Sequence, residues 1–527
     1  MKLRPTYRAP ASTRYLRPGG AWDVPTLDAA IRARPVHGGP AVVDGARRID
    51  ARELERLVSG LAGGLRRLGV RRRDVVSWQL PNWWEALVLY RACWRCGAVA
   101  APIHHQVGSR EVAELLEVLD PAVTFSAPRL PLGEHAGVIA VRTRDGQGHE
   151  AFLELCRDEP VSVSPSRPSD LAVVIFTSGS TGRPKAVLHT HRGLVHKSLT
   201  MTGVHGLGGT DAVLMPAPLA HVSGLLNAVL VPGVAGMRAV LMERWDVERG
   251  LRLIEDEGIS FMIGPPAMFT ALMEVPGFDG SRVESLRVVS SGMMGVTPEF
   301  IEAAHQGLGA IVKRSYGSTE APTVSTCTNE DPQERCRDTD GRAVGQAEIR
   351  AVDPSTGRRR GPGVPGEIWI RGPELFVGYG DPEDTAAAVH RGWYRSGDLG
   401  VVDADGWLRI TGRLKELIIR GGENISSAEV ERALELHPAV SQAVVVGCPD
   451  ERLGERVAAF VVGRQTLDVD ECRRWFAELG IARFKTPEVV FQVDELPLLA
   501  AGKPDRGALK ARAAAQCGVP EADGRRA

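Results

Sequence analysis

The stretch Phe176-Thr-Ser-Gly-Ser-Thr-Gly-Arg-Pro-Lys185 constrains this chain more than any other. It follows an apolar run at 171–175 that reads as a buried strand. The loop then sets Thr177, Ser178, Ser180 and Thr181 around Gly179 and Gly182, ahead of Pro184 and Lys185. Glycines let a backbone fold so that successive N–H groups point at one place. Hydroxyls add donors, and Lys185 adds a point charge. A strand that ends in such a loop is equipped to grip a polyphosphate.

The loop does not fit the GxxxxGK[ST] pattern of P-loop NTPases. Arg183 and Pro184 separate Gly182 from Lys185, and Ala186 stands where Ser or Thr belongs. The rest of the chain narrows the fold. Segment 51–69 places Leu54, Leu57, Val58, Leu61, Leu65 and Leu68 on one helical stripe that stops at Gly69. Short apolar runs then alternate with helical patterns. Strands are expected at 212–215, 239–242, 260–263, 287–289 and 311–313, and helices at 266–273 and 298–305. Such alternation predicts α/β layers, whose ligands gather beyond the carboxyl ends of the strands. Segments 290–295 and 316–320 follow strand-like runs, so they can share one crevice with the phosphate loop.

From 341 to 412 the texture changes to Gly/Pro turns and alternating strands such as 367–371, a smaller β-rich subdomain. Beyond it an α+β unit is expected, with helices at 427–436 and 469–479 and strands at 443–447, 457–462 and 488–493. The expected organisation is an N-terminal body at 1–412 and a small mobile C-terminal domain at 413–527. The polar tail at 517–527 is expected to fray.

A length of 527 residues allows about three folding units of about 150 residues. A formal net charge of −1 calls for neither nucleic acid nor an anionic membrane as partner. Segment 1–20 has no apolar core of a secretory signal, and the apolar stretch 225–242 is too interrupted for a membrane span. The eight cysteines are scattered, which does not look like a disulfide framework. Cys93 and Cys96 form a CxxC inside a helical pattern, where packing outweighs a redox or zinc role. These features point to a reduced, cytoplasmic protein.

Residues 176–187 resemble the phosphate loop of the adenylate-forming superfamily, [YF]TSG[ST]TGxPKxV, with Ala186 where Gly is usual. That superfamily includes acyl-CoA synthetases, luciferases and peptide-synthetase adenylation domains. Tyr316-Gly-Ser-Thr-Glu320 resembles its YGxTE signature. In isolation this Glu could merely cap a helix. The resemblance implies that Tyr316 stacks on adenine, with Gly317 and Ser318 in the same turn. It implies that Thr319 bonds the α-phosphate and that Glu320 binds Mg²⁺. A hard cation suits carboxylate oxygen and bridges to phosphate. Trp393-Tyr-Arg-Ser-Gly-Asp398 resembles the motif whose Asp accepts both ribose hydroxyls, and Arg413 matches the ribose-contacting Arg. Ser291 and Gly292 fall in the turn that relatives use for adenine contacts.

Lys415 matches the hinge position, and Gly421 and Gly422 match the loop that lines the pantetheine tunnel. Lys503 falls in a segment similar to the C-terminal PxxxxGKxxR signature, which ends here at Arg506. There it would neutralise charge where carboxylate meets α-phosphate. His221 occupies the aromatic-or-His position beside the acyl pocket, with a satisfied core histidine as the rival reading. His189 and His191 form an i, i+2 pair without the further Cys/His cluster that a metal site needs.

The resemblance spans about 51–506 and implies a two-step acid–thiol ligase using ATP, Mg²⁺ and CoA. Attack of a carboxylate on MgATP would give acyl-AMP. Rotation about Lys415 would then withdraw Lys503 and admit CoA. No Asp stands in 220–223 to hold an α-amine, which disfavours amino acids. The context looks most like short/medium-chain and alicyclic acyl-CoA ligases, so an aliphatic, alicyclic or bulky polycyclic acid is expected. Two rivals stand beside this reading. One is a free-standing adenylating enzyme loading a carrier-protein thiol; the other is a nucleotide-binding protein without catalysis.

Overall fold

A computed structural model describes residues 3, 12–34, 38–134, 137–142, 149–177, 184–292, 296–420, 423–450, 452–463, 465–499 and 503–517. The chain divides into two compact units. The first comprises Met1–Ile349, Trp369–Arg395 and Gly406–Leu408, and the second comprises Arg350–Ile368, Ser396–Asp405 and Arg409–Ala527.

Two sheets build the first unit. One runs from edge to edge as Arg342–Ala343, Ser325–Thr326, Ile311–Tyr316, Val288–Ser291, Phe261–Gly264, Ala212–Met215, Arg238–Leu241, Pro40–Asp44 and Arg47–Asp50. Its middle strands pair in parallel, and Val43, Leu214, Val240, Met262, Val289 and Val312 are all buried. Near-continuous apolar runs are what a parallel sheet covered on both faces requires. The other sheet runs Ile139–Ala140, Val123–Ser126, Val75–Gln79, Val99–Ile103, Leu171–Thr177 and Lys185–Thr190. The alternation read as α/β layers is therefore correct. The expected strands and helices match to within a few residues, for example Ala212–Met215 and Pro266–Met273.

The helix Ala51–Arg67 buries Leu54, Leu57, Val58, Leu61 and Leu65, and Asp50 caps it by accepting from the Glu53 N–H. Leu68 lies past the helix end and is exposed. The stretch 225–242 is no single element. It forms a π-helical turn Leu225–Leu230, a helix Val231–Ala235 that Gly236 ends in the left-handed region, and the strand Arg238–Leu241. No helix among the described residues is long and apolar enough to cross a membrane.

The β-rich stretch forms a five-stranded sheet of Glu348–Val352, Gly366–Arg371, Trp393–Val402, Val389–His390 and Leu408–Arg413. Within the second unit a further sheet orders Glu423–Ser426, Leu417–Arg420, Gly454–Val462 and Gln442–Asp450, with Val489–Gln492 parallel to Gly454–Val462. The helices Ser427–Glu435 and Val469–Glu478 pack on its apolar face through Val430, Leu434, Cys472 and Phe476. Cys93, Cys96, Cys156, Cys327, Cys336 and Cys472 are buried free thiols, whereas Cys448 is disulfide-bonded, against the expectation of a fully reduced chain. Burial pushes Cys96 up to about 11, which suits packing rather than reactivity.

Candidate active site

The long hairpin Leu171–Thr177 and Lys185–Thr190 sets Thr177 directly opposite Lys185 in its register. Between them lie Ser178, Gly179, Ser180, Thr181 and Gly182, which fall outside the described residues. Lys185 is half-buried; its ammonium pairs with Asp384 and stands 5.1 Å from the centroid of the Tyr379 ring.

On the other sheet, Val288–Ser291 and Ile311–Tyr316 are parallel neighbours, so Ser291, Gly292 and Tyr316 come together at the carboxyl ends of the strands. Ser291 Oγ donates to the Gly264 carbonyl at 3.0 Å, and a Cβ on Gly292 would meet the Ser315 carbonyl oxygen at 3.0 Å. Beyond Tyr316 the chain turns tightly. A Cβ on Gly317 would lie 2.3 Å from the Thr323 backbone nitrogen, so only glycine lets the two backbones approach this closely. Ser318 closes the turn: its N–H donates to the Ala321 carbonyl at 3.0 Å, and its Oγ accepts from the Ala321 N–H at 3.2 Å.

Two links tie this turn to the phosphate-loop hairpin and its neighbours. His189 is buried, and its Nε2–H donates to the Thr319 carbonyl at 2.7 Å. Burial drives this imidazole down to about 4, so it is neutral near pH 7 with its proton on the donating nitrogen. The Phe376 N–H donates to the Glu320 carbonyl at 2.8 Å. His191 accepts the Leu27 N–H at Nδ1, and burial also drives it to about 4. The i, i+2 histidine pair is therefore structural.

Glu320 is 8 % exposed, and Tyr379 donates its phenol proton to Oε1 at 2.7 Å. Among the described residues no Lys or Arg forms an ion pair with it. A buried carboxylate with no cationic partner of its own suits a metal ion. No cluster of three His, Cys, Asp or Glu able to hold a metal occurs among the described residues, so a cation on Glu320 would take its other ligands from phosphate oxygens and water. The phenols of Tyr379 and Tyr394, the proximity of Asp384 to Lys185, and the role of His189 were not legible from spacing. Tyr394 sits inside the motif read for Asp398, which was its only signal.

His221 caps the short helix Val222–Gly224 and accepts the Ser223 N–H at 3.4 Å. His104 follows the strand Val99–Ile103 and stacks on His105 at 4.7 Å. Burial, then the neighbouring His105 and His221, holds His104 down at about 4. A neutral His104 thus sits at the strand end, and the His104-His105 dipeptide just after a strand was its sequence signal.

In the second unit, Arg413 Nε lies 3.1 Å from Asp398 Oδ1, and Asp398 is buried. Gly397 takes a φ of 73°, which turns the strand so that the Asp398 N–H reaches Ser396 Oγ at 3.1 Å. Lys415 is exposed in the single turn Leu414–Glu416 between two strands, while Gly421 and Gly422 fall outside the described residues. Lys503 is exposed, and its carbonyl accepts the Leu499 N–H at 2.7 Å. Arg506 anchors that segment through Glu431 at 2.7 Å and the Val445 carbonyl at 2.9 Å.

Comparison with known proteins identifies the family. Residues 28–380 match the AMP-binding enzyme family, and residues 429–503 match the AMP-binding enzyme C-terminal domain. The chain belongs to the AMP-binding enzyme family. It is 34 % identical to a medium-chain fatty-acid–CoA ligase of Escherichia coli, over 85 % of this chain and 83 % of that one. It is 33 % identical to a 3-[(3aS,4S,7aS)-7a-methyl-1,5-dioxo-octahydro-1H-inden-4-yl]propanoyl:CoA ligase of Mycobacterium tuberculosis, over 92 % of this chain and 97 % of that one. The ATP-bound crystal structure of MatB from Rhodopseudomonas palustris superposes with a TM-score of 0.85 at 27 % identity, covering 92 % of this chain and 98 % of that one.

Proposed function

We propose that this enzyme is an AMP-forming acid–thiol ligase that activates an aliphatic, alicyclic or bulky polycyclic carboxylic acid with ATP and passes the acyl group to CoA. The observation that carries it is the buried, cation-free carboxylate of Glu320 beside the Tyr316 turn and the phosphate-loop hairpin. The relatives support the reaction class, since they are CoA ligases of fatty and fused-ring acids. The loop 216–224 carries no Asp or Glu, and His104 beside it is neutral, so the region offers no counter-charge to an α-ammonium group.

On this reading the chain's own groups divide the work. Lys185 and the hydroxyls of the phosphate loop bind the polyphosphate. Tyr316 packs on adenine, Thr319 donates to the α-phosphate, and Asp398 with Arg413 holds the ribose. Glu320 would hold Mg²⁺, which would supply positive charge against the phosphate oxygens. Lys503 neutralises the approach of carboxylate to phosphate in adenylation. Rotation about Lys415 then exchanges it for the loop of Gly421 and Gly422, which lines the path of the CoA thiol. His221 borders the acyl group.

The test is ATP–pyrophosphate exchange across a panel of carboxylic acids, followed by assay for thioester with CoA. Acid-dependent exchange without CoA and thioester with it are expected. Exchange without any CoA thioester would overturn the CoA assignment in favour of a carrier-protein thiol. No exchange with any acid, although ATP binds, would overturn the ligase reading.

A further inference from the structure

A buried phenol reaches the Glu320 carboxylate. Tyr379 and Tyr394 are each 5 % exposed, and both pack edge-on against Phe376, at 4.9 and 5.3 Å between ring centroids. Tyr379 spends its one proton on Glu320 Oε1 at 2.7 Å.

Tyr379 is held from two further sides. Its backbone N–H donates to Thr385 Oγ1 at 2.8 Å, and it forms an isolated bridge with Val187 of the phosphate-loop hairpin. Lys185 stands over its ring. The phenol therefore has a fixed position relative to both the hairpin and the turn.

We propose that Tyr379 is a positioning residue for Glu320: by occupying Oε1 it fixes the carboxylate's rotation and reserves Oε2 for the divalent cation. The inference rests on the reading of Glu320 as the cation ligand. A carboxylate oxygen tied to a phenol O–H cannot swing without breaking a charge-assisted hydrogen bond inside the protein. Groups that orient a metal ligand in this way typically alter metal affinity by about 10–100-fold when removed. The aromatic ring itself does not need to touch substrate.

Mn²⁺ serves as the probe, its binding to the enzyme–ATP complex read by electron paramagnetic resonance. Tyr379→Phe keeps the ring and removes only the hydroxyl. It should weaken Mn²⁺ binding about tenfold. ATP binding in chelator and the melting temperature should stay near wild type. Glu320→Gln should weaken Mn²⁺ at least as much, and adding Tyr379→Phe to it should cause no further loss. If Glu320→Gln leaves Mn²⁺ binding intact, the assignment of the cation to Glu320 falls, and this inference with it. If Glu320→Gln weakens binding but Tyr379→Phe does not, only the positioning role falls. A Tyr379→Phe protein that loses metal-free ATP binding in the same proportion would show a merely structural role and overturn the proposal.

Discussion

Acidification should strike the first unit through two histidines that follow the phosphate loop, His189 in the strand Lys185–Thr190 and His191 at the start of the helix His191–Val204. His189 and His191 are both buried, and both drop from an ordinary 6.5 to about 4 in the folded chain. The folded state thus keeps them neutral while the unfolded chain binds a proton below about pH 6.5. Between about pH 6.5 and pH 4 the unfolded state carries more protons, so stability falls as pH falls. The contribution is fully present above the upper limit and fully lost below the lower one. At pH 5 each unfolded histidine is nearly all protonated and each folded one is nearly all neutral. One pH unit of linkage is 1.36 kcal/mol, so moving from pH 7 to pH 5 costs about 2 kcal/mol per histidine and about 4 kcal/mol for both. At about 2.1 cal/mol/K of unfolding entropy per residue over a few hundred residues, this is about 5 °C of melting temperature. The comparison protein is His189→Gln/His191→Asn. A Gln amide nitrogen can replace the Nε2 donor to Thr319, and an Asn oxygen can replace the Nδ1 acceptor of the Leu27 N–H. Carboxylates titrate in both proteins and cancel. Calorimetry at both pH values should show the wild type losing about 5 °C more than the variant. Equal losses would refute the claim that neutral burial of these rings sets the acid limit.

Three further outcomes test the site. Gly317→Ala forces a methyl group to within 2.3 Å of the Thr323 nitrogen, so the Tyr316 turn must shift; ATP affinity by calorimetry should fall about 10²-fold. Asp398→Asn exchanges an acceptor-only group for one that also donates; the KM for ATP should rise about tenfold, and an unchanged KM would remove Asp398 from the nucleotide site. Lys503→Ala should slow adenylation about 10²-fold or more while thiolation of supplied acyl-AMP continues; equal loss in both half-reactions would end the domain-alternation reading.

Much of this protein was legible in its order of residues. Strand and helix positions followed from apolar periodicity because 212–215, 266–273 and 311–313 each carry a local pattern whose solution is a buried layer. The motifs around Lys185, Glu320, Asp398 and Lys503 were visible because each needs particular residue types at short spacing. Hydrogen bonds between distant segments have no such local signature. Nothing near His189 announces that it supports Thr319, some 130 residues on, and nothing near Tyr379 announces Glu320, 59 residues earlier. Lys185 reads from sequence as a phosphate cation, yet only the folded chain sets it against Asp384 and over the Tyr379 ring. The sequence by itself settled which layers form and which short motifs resemble those of the family, because both depend on neighbours along the chain. Tertiary structure alone decided how the Glu320 carboxylate is turned and which rings stay neutral, because orientation and desolvation are imposed by whatever residues the fold brings alongside.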